Sequence, residues 1–210
     1  MHPLLVLAPE RQSRLFAPLL AALASFALDV EPYVVDPGRR WRRALDGLAP
    51  LDFVGALVEG SEFQARAFAQ TARATEAAQS AAAADLLIVE SGNLIADFIQ
   101  AQALEEMLAH FLPYQARLGW VGEAAPELKQ NLALTSDLGE AEVWIYPGGE
   151  FPWQQLEPYH YLVALAEPPS EAYGLAAGVL SGKYFRQFQL QVALRRLLGV
   201  SLPIEAFLMD

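Results

Sequence analysis

The stretch 85–100, DLLIVESGNLIADFIQ, limits the folds open to this chain more than any other. Two apolar runs, Leu86 to Val89 and Leu94 to Ala96, flank a Ser91-Gly92-Asn93 turn, the pattern of a β-hairpin. A helix is expected from about Asp97, with that carboxylate as its N-cap. The periodic series Leu104, Met107, Leu108 and Phe111 would be its buried side. A hairpin running straight into a helix divides the chain into two unlike halves.

Before the hairpin, short apolar runs alternate with helical segments. Strands are expected at Leu4 to Ala8, Tyr33 to Val35 and Phe53 to Val58. Between them come a helix from Ser13 or Ala17 to about Ala27, with Pro18 in its first turn, and one over Arg39 to Leu48. The Ala-rich segment Glu62 to Ala84 reads as one long helix. This β-α alternation predicts an α/β fold with a largely parallel sheet covered by helices. After the hairpin, strands are expected at Arg117 to Val121, Glu142 to Tyr146 and Tyr161 to Leu165, at most three, with a helix over Glu127 to Leu134. A strong amphipathic helix, Lys183 to Leu198, stops at Gly199.

Composition removes several classes of function. With 210 residues, 54% hydrophobic and 19% charged, the chain can bury a substantial core. A net charge of −11 argues against a nucleic-acid partner, which needs a basic face. No cysteine is present, so disulfides, thiolate metal sites and a cysteine nucleophile are excluded. The longest uncharged run, Leu15 to Leu28, is too short to span a membrane, and MHPLLVLAPER does not read as a signal peptide. A cytoplasmic protein is expected.

The order and spacing of these elements resemble shikimate dehydrogenase over nearly the whole chain. The segment Ala8-Pro9-Glu10-Arg11-Gln12-Ser13-Arg14-Leu15-Phe16 matches the family's Gly-x-Pro-x-x-His-Ser-x-Ser-Pro. Gly55-Ala56-Leu57-Val58-Glu59-Gly60-Ser61-Glu62-Phe63 is similar to its Gly-Ala-Asn-Val-Thr-x-Pro-x-Lys. Ala96-Asp97-Phe98-Ile99-Gln100 falls on Gly-Asp-Asn-Thr-Asp, and Gln189 with Gly199 matches the C-terminal Gln and Gly. The resemblance implies three parts: an N-terminal substrate domain over 1–100, a shortened Rossmann-like domain over 101–181, and a returning helix over 182–210. It also implies a ligand cleft between the two lobes, lined by Ser13, Glu59, Phe63, Asp85, Gln100 and Gln189.

The departures from the family change the functional expectation. The family's Lys and last Asp handle the proton of the reacting hydroxyl, and they match Phe63 and Gln100, neither of which titrates. No catalytic residue is therefore assigned. Acidic Glu59 and Asp85 stand at family positions occupied by Thr and Asn, and they would repel a carboxylate ligand unless protonated or paired. In the dinucleotide turn Gly122-Glu123-Ala124-Ala125-Pro126 one glycine is left, Gly122, and Glu123 opposes a pyrophosphate. Pro147-Gly148-Gly149-Glu150 offers no arginine to a 2′-phosphate, so NADP, the family cofactor, is not expected.

A shikimate dehydrogenase-like protein that has lost the oxidoreductase reaction and binds a small molecule is the first expectation. An enzyme with changed chemistry using Glu59, Asp85 or Asp97 is the second, and a regulatory or assembly subunit forming a homodimer the third. Glu106 and His110 share a helix face, which reads as an i,i+4 pair rather than a metal site. The cluster Arg39, Arg40, Arg42 and Arg43 reads as a solvated helix face paired with nearby carboxylates, or else as a hold for an anion or an acidic partner surface; His160 reads as a loop or strand-edge residue, and Ser13 as ligand contact or helix cap.

Overall fold

The computed structural model describes residues 2–9, 12–112, 116–122, 128 and 132–206. Contacts divide the chain into two units, one made of 1–100 and 189–210 and the other of 101–188. No helix among the described residues is long and apolar enough to cross a membrane.

The first unit is built on β1 (His2–Leu7), α1 (Phe16–Ser25), β2 (Val30–Val35), α2 (Trp41–Leu48), β3 (Gly55–Val58), α3 (Ser61–Gln70), β4 (Arg73–Ala74), α4 (Glu76–Ala81), β5 (Leu86–Glu90) and β6 (Asn93–Asp97). Its six-stranded sheet has the order β2-β1-β3-β5-β6-β4. Strand β1, between β2 and β3, is buried from Leu4 to Leu7, as an interior strand covered on both faces must be. The sheet is mixed rather than largely parallel, because β5 runs antiparallel to both β3 and β6. The cause is the hairpin itself. Glu90 pairs with Asn93, so the turn is the two residues Ser91 (φ 50°) and Gly92 (φ 75°), both left-handed as a tight hairpin turn requires.

The long helix expected over Glu62 to Ala84 is broken in two. Thr71 donates its hydroxyl to the Ala67 carbonyl, and Thr75 accepts from the Ala78 amide at 3.2 Å as the N-cap of α4. Threonine hydroxyls compete with the helix for backbone partners. Between them Arg73 and Ala74, as β4, instead pair with β6. Glycine at 55 is required by packing, since a Cβ there would overlap the Leu87 carbonyl and come 2.5 Å from Leu197 Cδ2.

The second unit holds most of α5 (Gln100–Phe111), then β7 (Leu118–Trp120), β8 (Leu134–Thr135), β9 (Val143–Tyr146), β10 (Tyr161–Ala164), α6 (Ala172–Leu175) and β11 (Gly178–Leu180). The final helix, α7 (Gly182–Leu198), contributes residues to both units. Among the described residues five strands in the order β11-β10-β9-β7-β8, all parallel, replace the expected three at most. In chain sequence this is the doubly wound order. Trp144, Tyr146, Phe151, Leu162 and Ala164 form the heart of its core. The helix predicted over Glu127 to Leu134 falls largely outside the described residues, and Leu134 belongs to β8.

Candidate functional site

Strand direction gathers the candidate polar residues of the first unit at one edge of its sheet. Parallel β1 and β3 both end there, and the Glu59 amide donates to the Leu7 carbonyl at 2.9 Å. Antiparallel β5 begins at the same edge, with the Val58 amide donating to the Asp85 carbonyl at 2.9 Å. β6 ends beside it, with the Asp85 amide donating to the Asp97 carbonyl at 3.2 Å. Glu59, Asp85 and Asp97 are therefore neighbours in the sheet although far apart in sequence.

Each carboxylate has different surroundings. Glu59 Oε1 accepts the Ser13 hydroxyl, while its Oε2 accepts the Arg14 amide at 3.0 Å. Ser13 Oγ also accepts the Phe16 amide at 2.9 Å, so this serine fastens the start of α1 to the sheet and acts as a capping group. Asp97 is 2% exposed. Its Oδ1 accepts from the Thr75 hydroxyl at 2.6 Å and the Phe98 amide at 3.0 Å, and its Oδ2 faces Arg196 Nε at 3.6 Å.

Asp85 is 5% exposed. Its Oδ1 accepts the Ile99 amide at 2.8 Å, and its buried Oδ2 has no hydrogen-bond partner among the described residues. Burial pushes its carboxyl up to about 7. The Ile99 amide opposes that rise, the Asp97 charge adds to it, and the nearby Gln100 side chain again opposes it. The expected N-cap role of Asp97 is corrected here. Helix α5 starts at Gln100, and the free amide of Ile99 just before it is taken by Asp85, fourteen residues upstream.

The two positions matching the family's proton carriers diverge. Phe63 turns to the Trp41 ring, with centroids 5.0 Å apart. Gln100 Nε2 instead donates to Gln64 Oε1 at 3.4 Å, and Gln64 Nε2 donates to the Val58 carbonyl at 3.1 Å. Gln189 is half-buried on the part of α7 that belongs to the first unit. Sequence reasoning missed Gln64, Thr75 and Arg196. Thr75 alone carried a local signal, as a threonine ahead of a helical segment.

In the second unit, Gly122 follows β7 with φ 74°, and the rest of the predicted dinucleotide turn, 123–126, lies outside the described residues. The loop after β9 turns through Gly148 and Gly149, where the Tyr146 hydroxyl donates to the Gly149 carbonyl at 2.7 Å. Glu106 accepts from Gln102 Nε2 at 2.9 Å, and the His110 ring packs on Phe111 and Phe188. Among the described residues no group of three or more His, Asp or Glu side chains is arranged to hold a metal. His160 lies in the loop immediately before β10, as expected, and is wholly buried. Its Nδ1 accepts the Glu157 amide at 2.9 Å, its ring lies 4.6 Å from that of Trp144, and burial lowers its pKa.

No protein-family model and no curated protein matches the sequence. Solved structures do. A shikimate dehydrogenase in complex with NADP+ aligns at TM-score 0.80 and 15% identity, over 99% of this chain and 93% of that one. Shikimate 5-dehydrogenase from Thermus thermophilus, in complex with NADP(H) and shikimate, aligns at 0.75 and 20%, over 99% and 97%. The 5-ketofructose reductase of a Gluconobacter strain aligns at 0.79 and 14%, over 99% and 96%. At these identities the likeness speaks for the backbone and not for the chemistry. Taken with the two sheets and their strand orders, it gives the chain the two-domain shikimate dehydrogenase-like fold.

Proposed function

We propose that this protein uses the shikimate dehydrogenase-like fold without the NADP-dependent shikimate reaction, and binds a small uncharged compound at the acidic sheet edge of its first unit. The observation that carries this reading is the Gln100–Gln64 contact, with Phe63 turned away onto Trp41. Two amides and a phenyl ring cannot take up or release a proton at neutral pH. Three carboxyl groups, Glu59, Asp85 and Asp97, gather there with one guanidinium, Arg196, so an acid such as shikimate meets net negative charge. Hydroxyl and carbonyl compounds meet acceptors and an acid proton instead. The Gluconobacter reductase is a precedent for this fold serving a substrate other than shikimate.

NADP does not fit the residues present. The stretch after β8 is Ser136-Asp137, with Asp137 Oδ1 accepting the Gly139 amide, and the stretch after β9 is Pro147-Gly148-Gly149-Glu150. Neither offers a cation to a 2′-phosphate.

A thermal-shift screen tests the reading, since specific binding raises the melting temperature by mass action. Neutral polyols and ketoses are expected to stabilise the protein, and shikimate, quinate and NADP to leave it unchanged. Stabilisation by shikimate or NADP alone would refute it.

A second reading is favoured by Asp85. A buried carboxyl with a free Oδ2 and a pKa of about 7 has the properties of a general acid or base. Under this reading the protein is an enzyme acting on the same class of neutral compound, and Asp85→Asn abolishes turnover while leaving binding within a few-fold. Turnover that survives Asp85→Asn removes it.

A further inference from the structure

Helix α2 turns Trp41, Leu45 and Leu48 into the core and leaves Arg42 and Arg43 outside, next to Arg39 and Arg40 of the short 3-10 turn that precedes it. Arg39, Arg40, Arg42 and Arg43 line a cavity of about 480 Å³ together with Asp46. They are four of the fourteen basic residues in a chain of net charge −11. Among the described residues the carboxylate lining that cavity is Asp46, 3.9 Å from Arg42, a pair whose side chains are 87% and 69% exposed, while Asp36 at the start of the turn takes the Gly38 amide on its Oδ1. So loose a pair contributes little, and the four guanidiniums outnumber these two carboxylates.

Asp46 also lines a second depression of about 460 Å³, with Leu45, Ala49, Pro50, Gly92 and Leu94. This one is mostly apolar and lies where the β5–β6 turn meets the end of α2. Leu51 beside it is 65% exposed. A basic face and an apolar recess therefore adjoin across a single residue. A lone small anion on such exposed guanidiniums would keep most of its water, unlike a ligand enclosed by its site. Several carboxylates on one chain would engage the arginines together, and an apolar side chain between them would fill the recess.

We propose that the Arg39–Arg43 face and the adjoining Leu45–Leu94 recess form a docking site for an acidic polypeptide segment of a partner protein, anchored by one apolar side chain. The probe is a fluorescein-labelled peptide of about twelve residues, glutamates around a central leucine pair, followed by fluorescence polarisation. Binding is expected at low salt and should weaken at least tenfold when ionic strength rises from about 50 to about 300 mM, as screening requires. The Arg39→Glu/Arg43→Glu variant, whose changes are on exposed side chains, should bind at least tenfold more weakly with an unchanged melting temperature. Leu94→Asp, or a peptide with the leucines replaced by glutamate, should lose several-fold. Three results would overturn the proposal: no binding at low salt, equal binding by the double-glutamate variant, or salt-sensitive dimerisation in sedimentation, which would make the occupant a second copy of this chain.

Discussion

The side-chain amide of Gln100 donates to that of Gln64 across 3.4 Å, one residue along α3 from the ring of Phe63, which lies on Trp41. The pair links the first residue of α5 to α3 without either side chain carrying a charge. Phe63 therefore has a packing role and Gln100 a modest one. Phe63→Ala is expected to cost about 2–3 kcal/mol, as loss of a half-buried ring in contact with another aromatic does. Gln100→Ala should cost about 0.5–1 kcal/mol, the net worth of one long hydrogen bond. Urea unfolding of both variants ranks them, and the reverse order would contradict these roles.

Asp85 makes stability depend on pH. Its folded pKa of about 7 lies above the ordinary value of 3.8, so between these limits the folded protein holds a proton that the unfolded chain has released. Stability should fall as pH rises from about 4 to about 7, by a few kcal/mol in total, and level off above. Asp85→Asn should remove that slope. Melting temperatures measured from about pH 4 to about pH 8 check this, and an unchanged slope in the variant would contradict it.

Thr75 serves two groups at once, accepting from the Ala78 amide and donating to Asp97. Thr75→Ala should therefore cost about 1–3 kcal/mol, combining a lost cap with a buried carboxylate short of a donor. Arg196 is half exposed and 3.6 Å from Asp97, so Arg196→Ala should cost less, and its effect should shrink in roughly 0.5 M salt as screening requires. Chemical denaturation at two salt concentrations separates the two.

His160 couples the second unit to acid. Burial lowers its pKa from 6.5, so unfolding takes up a proton once pH drops below that value, and the unit loses stability there. His160→Asn keeps an acceptor for the Glu157 amide but cannot titrate. The variant should show no additional loss below about pH 6.5, read from tryptophan fluorescence, to which Trp144 contributes with its ring 4.6 Å from the imidazole.

The fold class was legible because its signals are local. Runs such as Leu4 to Leu7 and Val143 to Tyr146 are apolar throughout, as strands covered on both faces must be, and Ser91-Gly92 announces the hairpin. The two-residue strand β8 and the three-residue strand β11, set in a glycine-interrupted stretch, left no such mark, being too short to repeat an alternation. Thr71 and Thr75 hid the break in the Ala-rich segment, because a threonine's choice between helix and cap depends on what its neighbours offer. The site was half legible. Matching motifs singled out Asp85 and Gln100, but the capture of the Ile99 amide by Asp85 and of Gln100 by Gln64 are contacts between separate elements. Neither could be read along the chain.

Whether the shikimate reaction is absent is decided by a spectrophotometric assay of the purified protein with shikimate or quinate and NADP or NAD, run beside Gln100→Ala. No reduction of either nucleotide above background is expected from either protein. Turnover by the natural sequence that disappears in Gln100→Ala would contradict the loss of the reaction.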